Sequence, residues 1–168
     1  MAFDYTVATE KSIEQSITDL TAALKEGGFG VLGILDFQAL LKQKGVELGR
    51  EYRLLEVCNP KAAKEALDKD PKVGLLLPCT IAIYVDGSIT RISLLRPSML
   101  LNLIPESKLT NLGAEAEQKL KAAIDKTRQT DRTIGLNVKS IDSRTPIKES
   151  QLKRYIRAYL NNYSNVNH

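Results

Sequence analysis

Two alternating apolar runs meet across an Asp-Gly pair in "VGLLLPCTIAIYVDGSITRISLL", residues 73–95, and no other stretch limits the fold as tightly. A period of two puts alternate side chains on opposite faces of an extended chain, and Asp-Gly is a strong signal for a tight hairpin. With Asp86-Gly87 as the loop, Val85 faces Ser88, Ile81 faces Ile92 and Cys79 faces Leu94. Cys79, Ile81, Ile83, Ile92 and Leu94 then share an apolar face, and Thr80, Ala82, Tyr84, Arg91 and Ser93 share the other. That pattern predicts an antiparallel sheet packed on one side.

The rest of the chain supplies partners for this hairpin. "FDYTVAT" alternates and reads as a first strand. Ser12 followed by Gln15 predicts a capping box, and Ile13, Ile17, Leu20 and Leu24 mark one face of a helix closed by Gly27-Gly28. "FGVLGILDF" predicts a second strand whose Gly30 and Gly33 suggest a bulge or a close backbone approach, and no phosphate loop accompanies it. "FQALLKQKG" is a short helix and "EYRLLEV" a third strand. Asn59 then serves as N-cap and Pro60 as the first residue of the helix "PKAAKEALDKD". Residues 73–85 read as one long strand, and "PSMLLNLI" as a short helix opening at Pro97.

Charge divides the 168 residues unevenly. Residues 1–107 carry 12 basic and 14 acidic side chains, a net −2, whereas residues 108–168 carry 12 and 6, a net +6. The expected organisation is an α+β body over 1–107 and a basic helical extension over 108–168. In the extension, "AEAEQKLKAAIDKTRQ" predicts a surface helix with a weak apolar stripe of Leu120, Ala123 and Ile124. "TIGLNVKSI" suits a strand or a tether. "IKESQLKRYIRAYLNNY" predicts an amphipathic helix with Leu152, Tyr155, Ile156, Tyr159, Leu160 and Tyr163 on one side. Its other side is basic, so it suits packing on its own domain or a second subunit, or else a membrane surface or a nucleic acid.

Several function classes drop out. The one histidine is the terminal His168, so no body imidazole serves a Ser-His or Cys-His pair or a zinc site. The apolar run of residues 73–85 is too short for the roughly 20 residues of a membrane helix and is broken by Pro78. The start of the chain lacks the pattern of a secretory leader. Two cysteines are no disulfide framework, which points to a reducing cytoplasm.

Those two cysteines are the site worth testing. Cys58 precedes Asn59 and Pro60, so it sits where unpaired helix N–H groups favour a thiolate, with Lys61 adding positive charge and Glu56 opposing it. Cys79 lies 21 positions on, and the two meet if the strands bearing them are antiparallel neighbours. Against this stands the ordinary behaviour of free cysteine as a small buried hydrophobe. Two thiolates cannot complete a tetrahedral zinc site, although a dimer pooling four does, and two soft sulfurs alone suit Cu(I), with Met99 a further soft ligand. Asp68, Asp70 and Asp86 lack calcium-loop spacing. Arg91 and Arg96 flank the last strand, either as anion contacts or as surface residues.

"GFGVL", "KQKGVE", "YRLLEVCNPKAAKEAL" and "LLPCTIAIYVDG", in that order, resemble a bacterial and archaeal domain-of-unknown-function family, the one numbered three hundred and two. The resemblance runs over roughly residues 3–105. It implies an α+β domain similar to the TATA-binding-protein-like fold, an antiparallel sheet backed by helices, and a homodimer. It places a family signature on Cys58, Asn59, Pro60, Pro78 and Cys79, and implies no particular reaction. The leading expectation is a cytoplasmic binding domain whose Cys58–Cys79 region takes a small ligand, a soft metal or thiol-redox chemistry. The alternative is a non-catalytic module that binds protein or nucleic acid through its basic C-terminal helix. A conventional enzyme is disfavoured, because no acid–base pair stands out.

Overall fold

The computed structural model describes residues 2–103 and 109–129. The chain divides after Asp131 into two units, and the described residues all belong to the first. The expected "TIGLNVKSI" segment and the basic helix over residues 147–163 lie outside the described residues.

Five strands form one sheet: β1 (Asp4–Thr9), β2 (Gly30–Asp36), β3 (Tyr52–Cys58), β4 (Cys79–Asp86) and β5 (Ile89–Leu95). Their spatial order is β1-β5-β4-β3-β2, and every neighbouring pair is antiparallel. The expected alternation holds. Ile81, Ile83, Ile92 and Leu94 point to one face and are fully buried, together with Leu55 and Val57 of β3. Two helices cover that face, α1 (Ile13–Glu26) and α5 (Thr110–Arg128), which also pack on each other. The fold is α+β.

Local rules account for most element ends. Ser12 accepts the Gln15 N–H at 3.2 Å, which is half of the expected capping box. The other half is missing because the Gln15 amide reaches forward to Asp19 at 2.7 Å instead. Asp36 caps α2 (Phe37–Gln43) by accepting the Ala39 N–H at 2.9 Å. The expected bulge appears in β2, where the register with β3 shifts between Val31 and Gly33.

Three expectations change. The hairpin register is displaced by two residues: Ile81 pairs with Leu94, Ile83 with Ile92 and Asp86 with Ile89. The loop is therefore Gly87-Ser88, with Gly87 at φ 65°, as the first position of a primed turn requires. A slip of two keeps the same side chains inside, so the faces survive the correction. Cys79 then faces Val57 of β3 instead of Leu94.

Residues 73–85 are not one strand. A 3-10 helix occupies Pro71–Leu76, a cis peptide joins Leu77 to Pro78, and β4 begins only at Cys79. Asp70 caps the 3-10 turn by accepting the Lys72 N–H at 2.9 Å, and Val73 is buried on a second cluster with Ala66, Leu101 and Leu109.

The third change concerns α5. A break near residue 107 would set this helix in an extension, but Leu120 and Ile124 are fully buried in the same core as Leu20 and Leu24 of α1. Its apolar stripe was legible as a stripe. The burial it reaches comes from α1 and the sheet, at roughly 1.5–3 kcal/mol for each large side chain removed from water.

Candidate functional site

The site is built where β3 ends and β4 begins. Cys58 is the last residue of β3, Asn59 is the N-cap of α3 (Pro60–Lys69), and Pro60 is its first helical residue, all as expected. The Asn59 side-chain oxygen accepts N–H bonds from Lys61 at 3.1 Å and Ala62 at 3.2 Å. Its backbone oxygen accepts the Ala63 N–H at 2.9 Å. The first turn of α3 therefore spends its donors on Asn59, leaving little positive potential for a thiolate at Cys58.

β3 and β4 are antiparallel neighbours, with Val57 opposite Cys79, so the two cysteines do come together at one end of the sheet. Both are free and partly buried. Burial pushes the Cys58 thiol above its ordinary value, opposite to the expected lowering. Burial first, then the negative charges of Cys58 and Glu56, push Cys79 up to about 11. At neutral pH both side chains are thiols, not thiolates.

Cys58, Asn59, Pro78 and Cys79 line a single cavity of about 350 Å³. Pro60 is exposed and lies outside its wall, where its part is to start α3. The apolar wall comes from elements far apart in sequence: Ala62, Ala63 and Ala66 of α3, Leu76 and Leu77 around the 3-10 turn, Leu100 and Leu101 of α4 (Pro97–Leu101), and Leu112 and Ala116 of α5. Gly113 lets α4 lie against α5, since a Cβ there would stand 2.6 Å from the Leu101 Cδ1 and 3.4 Å from the Pro97 carbonyl oxygen. Glu56 and Thr80, paired across β3 and β4, bring polar atoms to the same cavity. The Thr80 hydroxyl donates to the Glu56 carboxylate at 3.3 and 3.4 Å.

The α4 wall is pinned by a buried carboxylate. Glu117 of α5 is 5% exposed. It accepts from Arg96 Nε at 2.8 Å, Lys121 Nζ at 2.7 Å and the Ser98 backbone N–H at 3.2 Å, as well as from the Ser98 hydroxyl. Burial opposes ionisation, but these bonds overrule it and hold the carboxyl at about 2. Glu117 thus caps α4 from another helix, a role invisible in "AEAEQKLK", where a glutamate reads as a solvated face.

The remaining sequence candidates stay apart from the cavity wall. Arg96 is engaged by Glu117 and by the Ala2 carbonyl at 3.0 Å, and Arg91 pairs with Asp86 at 2.9 Å, so neither is a free anion contact. Met99 lies in α4 but not in the wall. Asp68 pairs with Lys64 at 2.5 Å, and Asp70 caps the 3-10 turn. Among the described residues no three His, Cys, Asp or Glu side chains converge as a metal site. Also among the described residues, no helix is long and apolar enough to cross a membrane.

Comparison with known proteins fits this arrangement. The model of the family described as "Domain of unknown function DUF302" matches residues 5–127, which takes in α5 as well as the sheet. A solved structure, described as an uncharacterized conserved protein DUF302 from Bacillus stearothermophilus, is similar at 33% identity and a TM-score of 0.74. The match covers 76% of this chain and 100% of that one. No curated protein matches.

Proposed function

The chain belongs to the DUF302 family, and from that premise we propose that it is a small-molecule-binding domain whose ligand occupies the cavity beside Cys58, Asn59, Pro78 and Cys79. One observation carries the reading. The Cys-Asn-Pro and Leu-Pro-Cys elements, distant in sequence, contribute to the wall of one mainly apolar cavity of about 350 Å³. That volume suits a small organic molecule.

The protonation of the thiols favours an organic guest over a soft metal or redox chemistry. A cysteine must lose its proton to ligate a metal or attack a disulfide, and Cys79 at about 11 resists that loss. Protonated, both side chains act as compact, polarizable parts of the wall. A homodimer belongs to the same proposal. Leu32 and Leu35 of β2 and Phe37 and Leu40 of α2 are exposed beside the edge of β2, which has no partner strand among the described residues, a surface that favours self-association.

The test uses the full-length protein without tags. Native mass spectrometry reads the oligomer and any co-purified molecule. Titration with phenethyl alcohol, followed by amide NMR, should perturb residues around Cys58, Cys79 and α4. Ala63→Leu, which fills the wall from α3, should weaken binding about tenfold through overpacking. Perturbations confined to surfaces away from these residues would sink the proposal.

A further inference from the structure

We propose that Glu56 sets the ligand class of this cavity, selecting a small apolar molecule that carries an ammonium or similar cationic donor. The inference rests on the cavity being a ligand site and goes beyond it by assigning the charge of the guest. Among the described residues Glu56 is the only formally charged residue of the wall, and no lysine, arginine or histidine is among them. Among the described residues no cation pairs with it. Its hydrogen-bond partner there is the Thr80 hydroxyl, at 3.3 and 3.4 Å, which leaves most of the acceptor capacity of the carboxylate unused.

At the heads of α3 and α4 the donors that would suit an anion are already spent. Asn59 takes the N–H groups of Lys61 and Ala62 at the head of α3. Glu117 takes the Ser98 N–H at the head of α4. The starts of α3 and α4 are thus closed from within, whereas the start of α5, which borders the cavity through Leu112 and Gly113, has no side-chain cap; the two thiols contribute no positive charge. The one formal charge that the described wall residues carry is negative, set in an apolar surround where a charge-assisted hydrogen bond is stronger than in water. A guest with an apolar body and a cationic end satisfies both parts of the wall. Glu56 is a specificity-determining residue in this reading.

Three probes of one shape separate the possibilities: phenethylamine, phenethyl alcohol and phenylacetate, titrated into the full-length protein near neutral pH. The amine should bind about tenfold more tightly than the alcohol, and phenylacetate more weakly than either. Glu56→Gln should erase the preference for the amine, bringing its affinity down about tenfold towards that of phenethyl alcohol, with circular dichroism and urea unfolding showing that the variant is folded. Equal binding of all three probes, or an amine preference that persists in Glu56→Gln, overturns the assignment to Glu56 and leaves the cavity reading standing. Binding of none of the three at the cavity overturns both.

Discussion

Replacing Glu117 by glutamine tests whether α4 is held in place by one buried carboxylate. The carboxyl is held at about 2 against an ordinary 4.5. At face value that preference for the ionised form is worth about 3 kcal/mol of folding stability at neutral pH. Arg96 and Lys121 remain 21% and 31% exposed, so water shares the work of solvating them and screens the attraction. Roughly 2 kcal/mol is the expected loss in Glu117→Gln, or roughly 5–10 °C in Tm for a unit of this size. The sign with pH is set by the lowered value. Between about 4.5 and about 2 the unfolded chain binds the proton more readily than the folded one, so wild-type stability is full above that window and drains away as the pH falls through it. Urea unfolding followed by circular dichroism, at pH values spanning the window, should show the wild type losing its advantage over Glu117→Gln as acid is added. Because α4 carries Pro97, Leu100 and Leu101 of the cavity wall, the variant should also bind phenethyl alcohol less tightly. A variant within about 0.5 kcal/mol of wild type at neutral pH, with the same acid dependence, would refute the argument.

Two other perturbations follow from the site. Asn59→Ala removes the oxygen that accepts from Lys61 and Ala62 and should cost about 1 kcal/mol in urea unfolding, the usual loss of an N-cap. Cys79 keeps its proton to about 11 in the folded chain against 9.0 ordinarily, so the folded state binds more protons across that window and stability falls as the pH rises through it. Cys79→Ser, with no group titrating there, should flatten that alkaline slope, and native-state thiol labelling near neutral pH should be slow at Cys79 in the wild type.

Much of the architecture was legible because it obeys short-range rules. Alternation assigned Ile81, Ile83, Ile92 and Leu94 to the inward face, and it did so even with the loop displaced, since a slip of two residues conserves the face. Asn59-Pro60 and the Ile13–Ile17–Leu20–Leu24 stripe likewise announce their helices through capping and period alone. The strand expected over residues 73–85 failed for the converse reason. Its apolar side chains suit a buried strand by type, whereas Val73 is buried against α3 and α4 residues in a 3-10 turn. The site was half legible. Cys58 and Cys79 stood out by type and setting, but Glu56 was visible only as a charge opposing a thiolate, and Glu117 offered no local signal at all.

The amino-acid sequence by itself determined most of the strands, the starts of α1 and α3, the inward face of the hairpin and the family signature, because period and capping act over a few neighbouring residues. The tertiary structure alone decided the protonation of the thiols, the gathering of α3, the 3-10 turn, α4 and α5 around one cavity, and the pairing of Arg96 with Glu117. Those outcomes depend on desolvation and on charges brought together from distant positions. The helix start beside Cys58 had the right residues for an activated thiolate. Folding gave its donors to Asn59 and partly buried the side chain, and that desolvation is what raised the thiol's pKa and keeps it neutral.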